Sequence, residues 1–323
     1  MSRSHTDISL GKGTRLDHYI IDGTLGGGGF SIVYLAHAQE SGEQVVIKEY
    51  MPHKLAARAP DGVSVILQPD SEQDDHFAQG RRMFVQEASA LASIKHPNVV
   101  NVINFFNAHG TVYMVMTYEK GISLQSYIKR HSSGLSENFI RTVFPPLLEG
   151  LKAVHAQGLL HLDIKPGNIF LRPGGQPLLL DFGAVHFMRT SRRYQPAQVS
   201  TPGFAPCEQL SVGGYVGPWS DLYAVGASMR TCIDGSTPPP ADERRMQDRL
   251  KPAAHCFRKQ YSASLLQAID WAMEIDPLLR PQNVDAFLAA LNARETIAEE
   301  PSSRTEALLG ILTRDITLPW GKG

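Results

Sequence analysis

The densest group of residues that could do chemistry lies in the segment His161–Asn168, where a carboxylate, an ammonium group and an amide fall within six positions. Asp163 could orient a hydroxyl group and accept its proton. Lys165 could neutralise a phosphate during transfer, and Asn168 could offer its carbonyl oxygen to Mg²⁺. The plain alternative is a loop between a helix and a strand that carries ordinary polar residues.

A second carboxylate, Asp181, directly follows the apolar run Leu178–Leu180 and is followed in turn by Phe182 and Gly183. A carboxylate at the end of a buried strand is a suitable ligand for a hard cation. Asn168 and Asp181 are therefore the candidate metal ligands of the chain.

Four consecutive glycines, Gly26–Gly29, lie between two predicted strands in the segment Leu25–Val33. Backbone without side chains can approach phosphate groups closely, and its N–H groups can bind phosphate oxygens. A flexible hairpin is the alternative, and the glycine run by itself does not decide between the two.

A lysine on an apolar strand, Lys48, follows Val45–Ile47 and lies 20 residues after Gly28. A lysine at a sheet edge would point into water, whereas a buried ammonium group needs an anionic partner. Glu87 lies among the apolar residues of Phe84–Leu91, in a predicted helix, where a carboxylate is costly unless it is paired. Glu87 is therefore the natural partner of Lys48.

These features follow one another as a glycine loop, a strand lysine, a helical glutamate, a His-x-Asp-x-x-x-x-Asn segment and an Asp-Phe-Gly tripeptide. This set, in this order and in these structural contexts, resembles the protein kinase set. From about Tyr19 to Ala293 the chain is similar to bacterial Ser/Thr protein kinases of the eukaryotic-like kind. The resemblance implies an α+β, bilobal protein kinase fold, with a small β-rich N-lobe that carries one main helix and a larger helical C-lobe.

The resemblance also implies a role for each candidate residue. Lys48 would bind the α- and β-phosphates of ATP and pair with Glu87, Asp163 would be the catalytic base, and Lys165 would steady the γ-phosphate. The cofactors would be ATP and Mg²⁺, or Mn²⁺ in its place, with the metal on Asn168 and Asp181. The other nucleotide contacts would come from the glycine loop, the gatekeeper Met116, the hinge and the residues around the adenine ring: Leu25, Gly26, Gly27, Gly28, Gly29, Phe30, Val33, Val46, Met116, Thr117, Tyr118 and Phe170.

Further positions match the architecture that supports a kinase site. The residues that would stack as the spine of an assembled active state are Leu91, Val102, His161 and Phe182. The segment Thr201–Glu208 resembles the one that closes the activation region and builds a platform for a peptide substrate. Glu208 would pair with Arg280, and Asp221 would anchor the catalytic loop from a buried helix.

Leu162 departs from the pattern, because many kinases have arginine at this position. That arginine normally binds a phosphate on the activation loop. The resemblance therefore predicts an activity that does not strictly depend on phosphorylation of this loop. Most of the turnover should survive the joint replacement of Thr190, Ser191 and Ser200 by alanine.

Elements that would position these residues can be read from the periodicity. Strands are predicted at Tyr19–Leu25, Ile32–Ala38, Gln44–Glu49, Val63–Leu67, Val99–Asn107 and Thr111–Tyr118. The main helices are predicted around Phe77–Ile94, Phe139–Gln157, Ser220–Asp234, Ser262–Glu274 and Val284–Ala293. Ser123 can cap a short helix. The expected organisation is a polar segment 1–18, a kinase domain 19–293 (N-lobe 19–117, hinge 117–121, C-lobe 122–293) and a tail 294–323 with a short amphipathic helix.

Two segments exceed what a minimal kinase needs. Residues 52–73 lie between Lys48 and Glu87, where they would form either a decorated surface loop or a regulatory contact near the Glu87 helix. Residues 306–316 form an amphipathic stretch that would pack on the helical lobe of its own chain or dock to a partner or a second copy. Either segment could therefore hold a regulatory partner.

Composition restricts the partners and the compartment. The 323 residues include 31 Lys plus Arg and 32 Asp plus Glu, a formal net charge of −1, which indicates neither nucleic acid nor an anionic membrane surface. Three cysteines without a CxxC pair indicate a reducing compartment. No apolar run approaches the roughly 18 residues of a membrane span, and Met1–Gly13 lacks the apolar core of a signal peptide. A cytoplasmic location is expected.

Three functions compete at this point. The first is an active Ser/Thr protein kinase that transfers the γ-phosphate of ATP to hydroxyl groups of protein substrates. The second is a pseudokinase scaffold that binds nucleotide and a partner protein; against it, the residues that usually fail in pseudokinases are all present. The third, a kinase for a small molecule, is disfavoured by the platform-like segment Thr201–Glu208.

Overall fold

The structure is a computed structural model that describes residues 8–67, 71–131, 134–182, 186–187, 201–211 and 213–293, with the backbone alone for 71–74 and 186–187. The chain divides into a large unit, Met1–Asn292, and a small one, Ala293–Gly323. The amphipathic stretch 306–316 and the residues Thr190, Ser191 and Ser200 lie outside the described residues.

Strands dominate the first part of the large unit, and helices dominate the second. The strands are β1 (Arg15–Leu16), β2 (Tyr19–Gly27), β3 (Ser31–Ala38), β4 (Gln44–Tyr50), β5 (Ala56–Arg58), β6 (Val65–Leu67), β7 (Val102–Ala108), β8 (Thr111–Thr117), β9 (Ile122–Ser123), β10 (Leu159–Leu160), β11 (Ile169–Leu171), β12 (Pro177–Leu179) and β13 (His186–Phe187). The helices are α1 (Ser71–Ala92), α2 (Leu124–Lys129), α3 (Glu137–Ala156), α4 (Cys207–Leu210), α5 (Pro218–Asp234), α6 (Ala241–Met246), α7 (Ala253–Cys256), α8 (Ala263–Ala272) and α9 (Val284–Leu291). This confirms the predicted α+β kinase fold.

The N-lobe is an antiparallel sheet with the strand order β1-β2-β3-β4-β8-β7. Strand β4 lies inside this sheet, between β3 and β8, and its residues Val45 and Ile47 are buried. Helix α1 packs against the sheet through Phe77 and Phe84, whose rings lie 5.2 and 5.9 Å from the ring of Tyr50 at the end of β4. The strand that carries Lys48 therefore also sets the position of the helix that carries Glu87.

The C-lobe is built around α5, in which every residue from Ser220 to Ile233 is buried. Helices α3, α8 and α9 pack around it, and α3 continues through Pro145 and Pro146 from Glu137 to Ala156. Two small sheets, one of β10 with β13 and one of β12, β11 and β9, flank the loops that carry Asp163, Asn168 and Asp181 in the chain. Ser123 caps α2 as predicted, since its side chain accepts a hydrogen bond from the backbone of Ser126.

The structure differs from the sequence-based expectations mainly before Tyr19 and after Tyr50. The segment expected to be only polar contributes β1 to the main sheet and buries the side chains of Ile8 and Leu10. The segment 52–73 contains a two-stranded hairpin, β5–β6, of which only the second strand was expected. Short strands such as β1 and β5 have too few residues to show an alternating pattern.

Candidate active site

Lys48 lies at the centre of an ionic cluster that joins the two lobes. Its Nζ is 2.6 Å from Oδ1 of Asp181 and 3.5 Å from Oε1 of Glu87. The side chains of Lys48 and Glu87 are 8 % and 9 % exposed, whereas that of Asp181 is 50 % exposed. The predicted Lys48–Glu87 pair is present, but the shorter contact is with the aspartate of the Asp-Phe-Gly tripeptide.

Electrostatics in this cluster follow from burial and proximity. Burial opposes the positive charge of Lys48, but Glu87 and Asp181 outweigh it and raise the pKa of this lysine. Burial raises the pKa of Glu87 to about 7, against the opposing effect of Lys48. The nearby ammonium group of Lys48 lowers the pKa of Asp181 against its own desolvation. Asp181 is therefore the firmly ionised partner of the lysine.

The carboxylate of Asp163 is surrounded by three donors. Nζ of Lys165 lies 2.8 and 3.0 Å from its two oxygens, Nδ2 of Asn168 donates to Oδ2 at 2.9 Å, and the hydroxyl of Thr201 donates to Oδ1 at 3.1 Å. Lys165 also donates to the hydroxyl oxygen of Thr201 at 2.9 Å. The arrangement holds Asp163 in one orientation, with its negative charge balanced by the ammonium group of Lys165.

Backbone hydrogen bonds to Asp221 hold the loop before Asp163. The fully buried carboxylate of Asp221 accepts from the backbone N–H groups of His161 (2.9 Å) and Leu162 (2.8 Å), and from Nε2 of His155 (2.8 Å). These contacts confirm the anchor predicted from the sequence. Leu162 has a φ of 59°, a left-handed conformation that is uncommon for a bulky residue.

Phe182 and His161 complete a buried stack between the lobes. Their ring centroids are 4.3 Å apart, and both side chains are almost fully buried, as are those of Leu91 and Val102. Burial lowers the pKa of His161. The neutral ring fits its contacts, because its Nδ1 accepts from the backbone N–H of Asp163 and its Nε2 lies 3.0 Å from the carbonyl oxygen of Leu180.

The glycine run ends β2 with Gly26 and Gly27 and begins the turn to β3 with Gly28 and Gly29. Gly28 donates its N–H to the carbonyl of Ser31 at 2.9 Å, and Leu25 and Phe30 are exposed. A Cβ added at Gly26, Gly28 or Gly29 would meet no atom within 4 Å in the described part of the chain. Packing within the protein therefore does not require glycine at these positions.

The residues predicted to surround an adenine ring lie on neighbouring strands of the N-lobe sheet, on the segment that links the lobes and on β11. Val46 pairs with Met116 across β4 and β8, and Val33 pairs with Lys48 across β3 and β4. Phe170 lies on β11, opposite Ser123 of β9. The partly buried residues of this group are Val33, Val46, Met116, Thr117, Tyr118 and Phe170.

Gly121, at the end of the linking segment, is required by close packing. A Cβ at this position would lie 2.1 Å from the carbonyl oxygen of Leu171 and 2.7 Å from the ring of Phe170. Its φ of 157° is likewise rare for other residues. The glycine lets the hinge lie directly against the strand that carries Phe170.

The closing segment is fixed by a buried ion pair. Nη1 and Nη2 of Arg280 lie 2.7 and 3.3 Å from the two carboxylate oxygens of Glu208, as predicted, and Ser220 donates to the same carboxylate at 2.8 Å. The guanidinium group also lies 4.7 Å from the ring of Tyr223. These contacts position the segment that contains Thr201.

Some neighbours of the site carry no clear sequence signal. Val216 packs on the buried pair Leu160 and Leu162, and Gln209 donates its side-chain N–H to the backbone carbonyl of Leu162. Both residues lie about 50 positions after the loop that they contact, so no local spacing could predict them. The Thr201 hydroxyl could be predicted from the closing motif, but its contacts with Asp163 and Lys165 could not.

The donor set fits a hard cation. Asn168 uses its Nδ2 for its hydrogen bonds to Asp163, so its amide oxygen is the atom that suits Mg²⁺, and Asp181 supplies an ionised, half-exposed carboxylate. Within the described residues there is no group of three or more His, Cys, Asp or Glu side chains that could hold a metal. A metal here would therefore need substrate oxygens or water to complete its shell.

Comparisons with known proteins agree with this geometry. The sequence profile of the protein kinase domain matches residues 19–291. The chain is 28 % identical over 304 residues to serine/threonine-protein kinase D of Synechocystis. This alignment covers 91 % of this chain and 55 % of that protein. It is 28 % identical over 268 residues to serine/threonine-protein kinase PknK of Mycobacterium tuberculosis, over 80 % of this chain and 22 % of that protein.

A solved structure, "PpkA-294 apo form", superposes with a TM-score of 0.77 at 35 % identity, over 88 % of this chain and 99 % of that one. This chain spans about half the length of the first of these curated relatives and less than a quarter of the second. In the part of the chain that the structure describes, no helix is long and apolar enough to cross a membrane. The matched profile covers most of the chain, which therefore belongs to the protein kinase family.

Proposed function

We propose that the chain is an ATP- and Mg²⁺-dependent kinase that phosphorylates serine or threonine hydroxyls of protein substrates. The observation that carries this proposal is the presence of two clusters, Lys48–Glu87–Asp181 and Asp163–Lys165–Asn168–Thr201. Their loops are bonded to each other, since the N–H of Leu180, beside Asp181, donates to the carbonyl of Asn168 at 2.9 Å. The first cluster suits the phosphates and a cation, and the second suits a hydroxyl nucleophile. The kinase names of the relatives support the same reaction.

Phosphoryl transfer would proceed in line. The hydroxyl oxygen of the substrate forms a bond to the γ-phosphorus while the bond from that phosphorus to the β–γ bridging oxygen breaks, and ADP leaves. Asp163 orients the hydroxyl group and takes its proton, and Lys165 neutralises the charge on the transferring group. Mg²⁺, when bound by Asn168 and Asp181, supplies charge neutralisation at the phosphate oxygens.

Nucleotide binding would use the glycine loop, Lys48 and the partly buried residues around the linking segment. The open space beside Gly26, Gly28 and Gly29 supports a close approach of phosphate to this backbone. Lys48 would exchange part of its contact with Asp181 for the α- and β-phosphates. Val46, Met116 and Phe170 would contact the adenine ring.

Purified protein incubated with ATP and Mg²⁺, followed by phosphosite mapping, tests this function. We expect phosphate on serine or threonine with the wild type and none with Asp163→Asn. Nucleotide binding without any incorporation would instead favour the pseudokinase scaffold. Transfer only to a small molecule would contradict the protein-substrate class.

The activity should not strictly depend on a phosphorylated activation loop. Leu162 occupies the position of an arginine that binds phosphate in many kinases, and its side chain is buried against Leu160 and Val216. Asp221 and Gln209 hold the backbone of the same residue. Apolar packing thus takes the place of an ionic contact at this position.

Joint replacement of Thr190, Ser191 and Ser200 by alanine tests this independence. The triple variant should keep most of the wild-type kcat with an exogenous protein substrate. Loss of nearly all turnover, with circular dichroism and melting temperature unchanged, would contradict it. Mass spectrometry of the wild-type preparation provides the control for the phosphorylation state.

The compartment and the partners are also proposals. A cytoplasmic location is supported by the three cysteines, all of which are free thiols. Protein substrates are supported by the Thr201–Glu208 segment and its buried anchor at Arg280. A regulatory partner at residues 52–73 or 306–316 stays a prediction, testable by truncation and pull-down with purified candidates.

A further inference from the structure

Arg58 and one backbone hydrogen bond, from the N–H of Val65 to the carbonyl of His109 at 2.8 Å, fasten the hairpin between β4 and α1 to the main sheet. Arg58, the last residue of β5, donates two hydrogen bonds to the carboxylate of Glu49, from Nη1 to Oε1 at 2.9 Å and from Nη2 to Oε2 at 2.7 Å. The Glu49 side chain is fully buried, and that of Arg58 is 6 % exposed. A bidentate pair of this kind fixes direction as well as distance.

Glu49 connects this arginine to the strands on both sides of β4. Its carboxylate also accepts from the hydroxyls of Tyr34 on β3 (2.7 Å) and Tyr113 on β8 (3.0 Å). Nε of Arg58 donates to the carbonyl oxygen of Ile8 at 3.0 Å, so the residues before β1 join the same network. The hairpin is therefore bound to the strands next to Lys48 and is no loose surface loop.

The chain that leads into this hairpin also holds the tip of the glycine loop. The N–H of Met51 donates to the carbonyl oxygen of Phe30 at 2.8 Å, and the N–H of His53 donates to that of Gly29 at 3.1 Å. The carbonyl oxygen of Pro52 then accepts from the first residue of β5 at 2.9 Å. A single turn thus separates the glycine loop from the arginine-fastened hairpin.

We propose that the hairpin braces the glycine loop over the nucleotide, with Arg58 as a positioning residue. Arg58 acts through Glu49 and the backbone of residues 51–56, and it contacts no phosphate itself. When Arg58 no longer holds the hairpin, the hydrogen bonds from Met51 and His53 to the carbonyls of Phe30 and Gly29 are weakened. The N–H groups of the glycine loop then lose their fixed orientation toward the phosphates. The inference rests on the proposed nucleotide site and extends it to a segment outside the kinase motifs.

The decisive variant removes both charges, because a single change would leave one charge buried and unpaired. In the double variant Arg58→Met with Glu49→Gln we expect the KM for ATP to rise about tenfold, with kcat changed less than about threefold. The KM for the protein substrate should stay unchanged. Arg58→Lys keeps the charge but not the bidentate geometry. Its KM for ATP should therefore lie between that of the wild type and that of the double variant.

A matched control separates bracing from general stability. Arg244 is also buried, and it bonds the hydroxyl of Tyr223 and the carbonyl of Met273 far from the glycine loop. Arg244→Met should lower the melting temperature and leave the KM for ATP within about twofold of the wild type. If the double variant behaves in the same way, the hairpin is only structural and the proposal is overturned.

Amide hydrogen exchange of residues 28–31 tests the brace without any activity. We expect these amides to exchange at least about tenfold faster in the double variant than in the wild type, and to be unchanged in Arg244→Met. Unchanged exchange in the double variant would overturn the brace. A wild type that neither binds nucleotide nor transfers phosphate would refute the proposed function, while the exchange result would still decide the inference.

Discussion

Leu162 carries a backbone conformation that costs free energy, and Asp221 is the residue that maintains it. A bulky residue in the left-handed region is strained by about 1–3 kcal/mol. The Asp221 carboxylate accepts the two consecutive N–H groups of His161 and Leu162 and so directs Asp163, the next residue, into the cleft. The geometry of the Asp163 carboxylate, the proposed catalytic base, therefore depends on a residue about sixty positions away.

Asp221→Asn should weaken both stability and turnover. An amide offers one acceptor where the carboxylate has two, so a buried donor loses its partner and the free energy of unfolding falls by about 1–3 kcal/mol at pH 7. Turnover should fall with little change in the KM for ATP, because the nucleotide contacts are untouched. Denaturant unfolding and steady-state kinetics check both expectations, and a variant with wild-type kcat would contradict them.

The same variant should change the pH dependence of stability. Burial would raise the pKa of Asp221, but the hydrogen bond and charge of His155 and the N–H groups outweigh it, so the net shift is downward. A lowered pKa contributes stability that is present above the unfolded value of about 3.9 and is lost as the pH falls through the folded value. The stability difference between wild type and Asp221→Asn should therefore shrink as the pH falls below about 4.

Helix α1 depends on Gly80, a glycine in the interior of a 22-residue helix. Glycine there costs about 1 kcal/mol relative to alanine. A Cβ at this position would lie 2.0 Å from the hydroxyl oxygen of Tyr50, whose ring is held between Phe77 and Phe84. The glycine lets the helix approach β4 closely enough for Glu87 to reach Lys48.

Gly80→Ala should therefore destabilise the protein despite its better helix propensity. Overpacking costs about 1–3 kcal/mol, which at a contact this short should lie at the upper end and exceed the propensity gain of about 1 kcal/mol. Displacement of α1 should lower kcat. In a Tyr50→Phe background the hydroxyl is gone but the ring carbon Cζ stays 2.9 Å from the new Cβ, so the same substitution should cost less than in the wild type without becoming neutral. Thermal unfolding of the single and double variants tests this, and a Gly80→Ala protein that is more stable than wild type would show that the contact is not limiting.

The elements that sequence periodicity predicted well are those with long apolar patterns. Strands β2, β3, β4 and β8 and helices α3 and α5 differ from expectation by two residues or fewer at most ends. The hairpin β5–β6 was harder, because its strands have three residues each and part of what holds it is the buried contact of Arg58 with Glu49. An arginine nine positions after Glu49 has no spacing that marks it as a buried partner.

Across the whole molecule, the candidate site is divided between the lobes. Lys48 and Glu87 belong to the sheet and helix of the N-lobe, and Asp163, Asn168 and Asp181 belong to loops of the C-lobe. As candidates, Asp163, Asn168 and Asp181 were predictable because they lie in short motifs, and Glu87 was predictable because a carboxylate among apolar helix residues needs a partner. Their contacts were not: the 2.6 Å approach of Lys48 to Asp181, 133 positions later, depends on how the lobes meet.

A ligand that binds both lobes should stabilise the folded state strongly. At one hundred times its Kd, the non-hydrolysable analogue AMP-PNP with Mg²⁺ should contribute about 2.7 kcal/mol, a rise of about 5–10 °C in melting temperature. Asp181→Asn should lose the part of this rise that depends on Mg²⁺. Asp285→Asn, which changes an exposed carboxylate on α9, should retain it. An equal rise in both variants would contradict a metal role for Asp181.

The buried pair of Glu49 and Arg58 has a consequence for how related chains can diverge. Loss of the hairpin in one step would leave Glu49 charged inside the sheet, at a cost of about 3–5 kcal/mol, comparable to much of the stability of a domain. A lineage that discards the hairpin must therefore first, or at the same time, exchange the glutamate for a neutral residue. Among descendants of a common ancestor, the acidic residue after the strand lysine and the hairpin should be inherited or lost together.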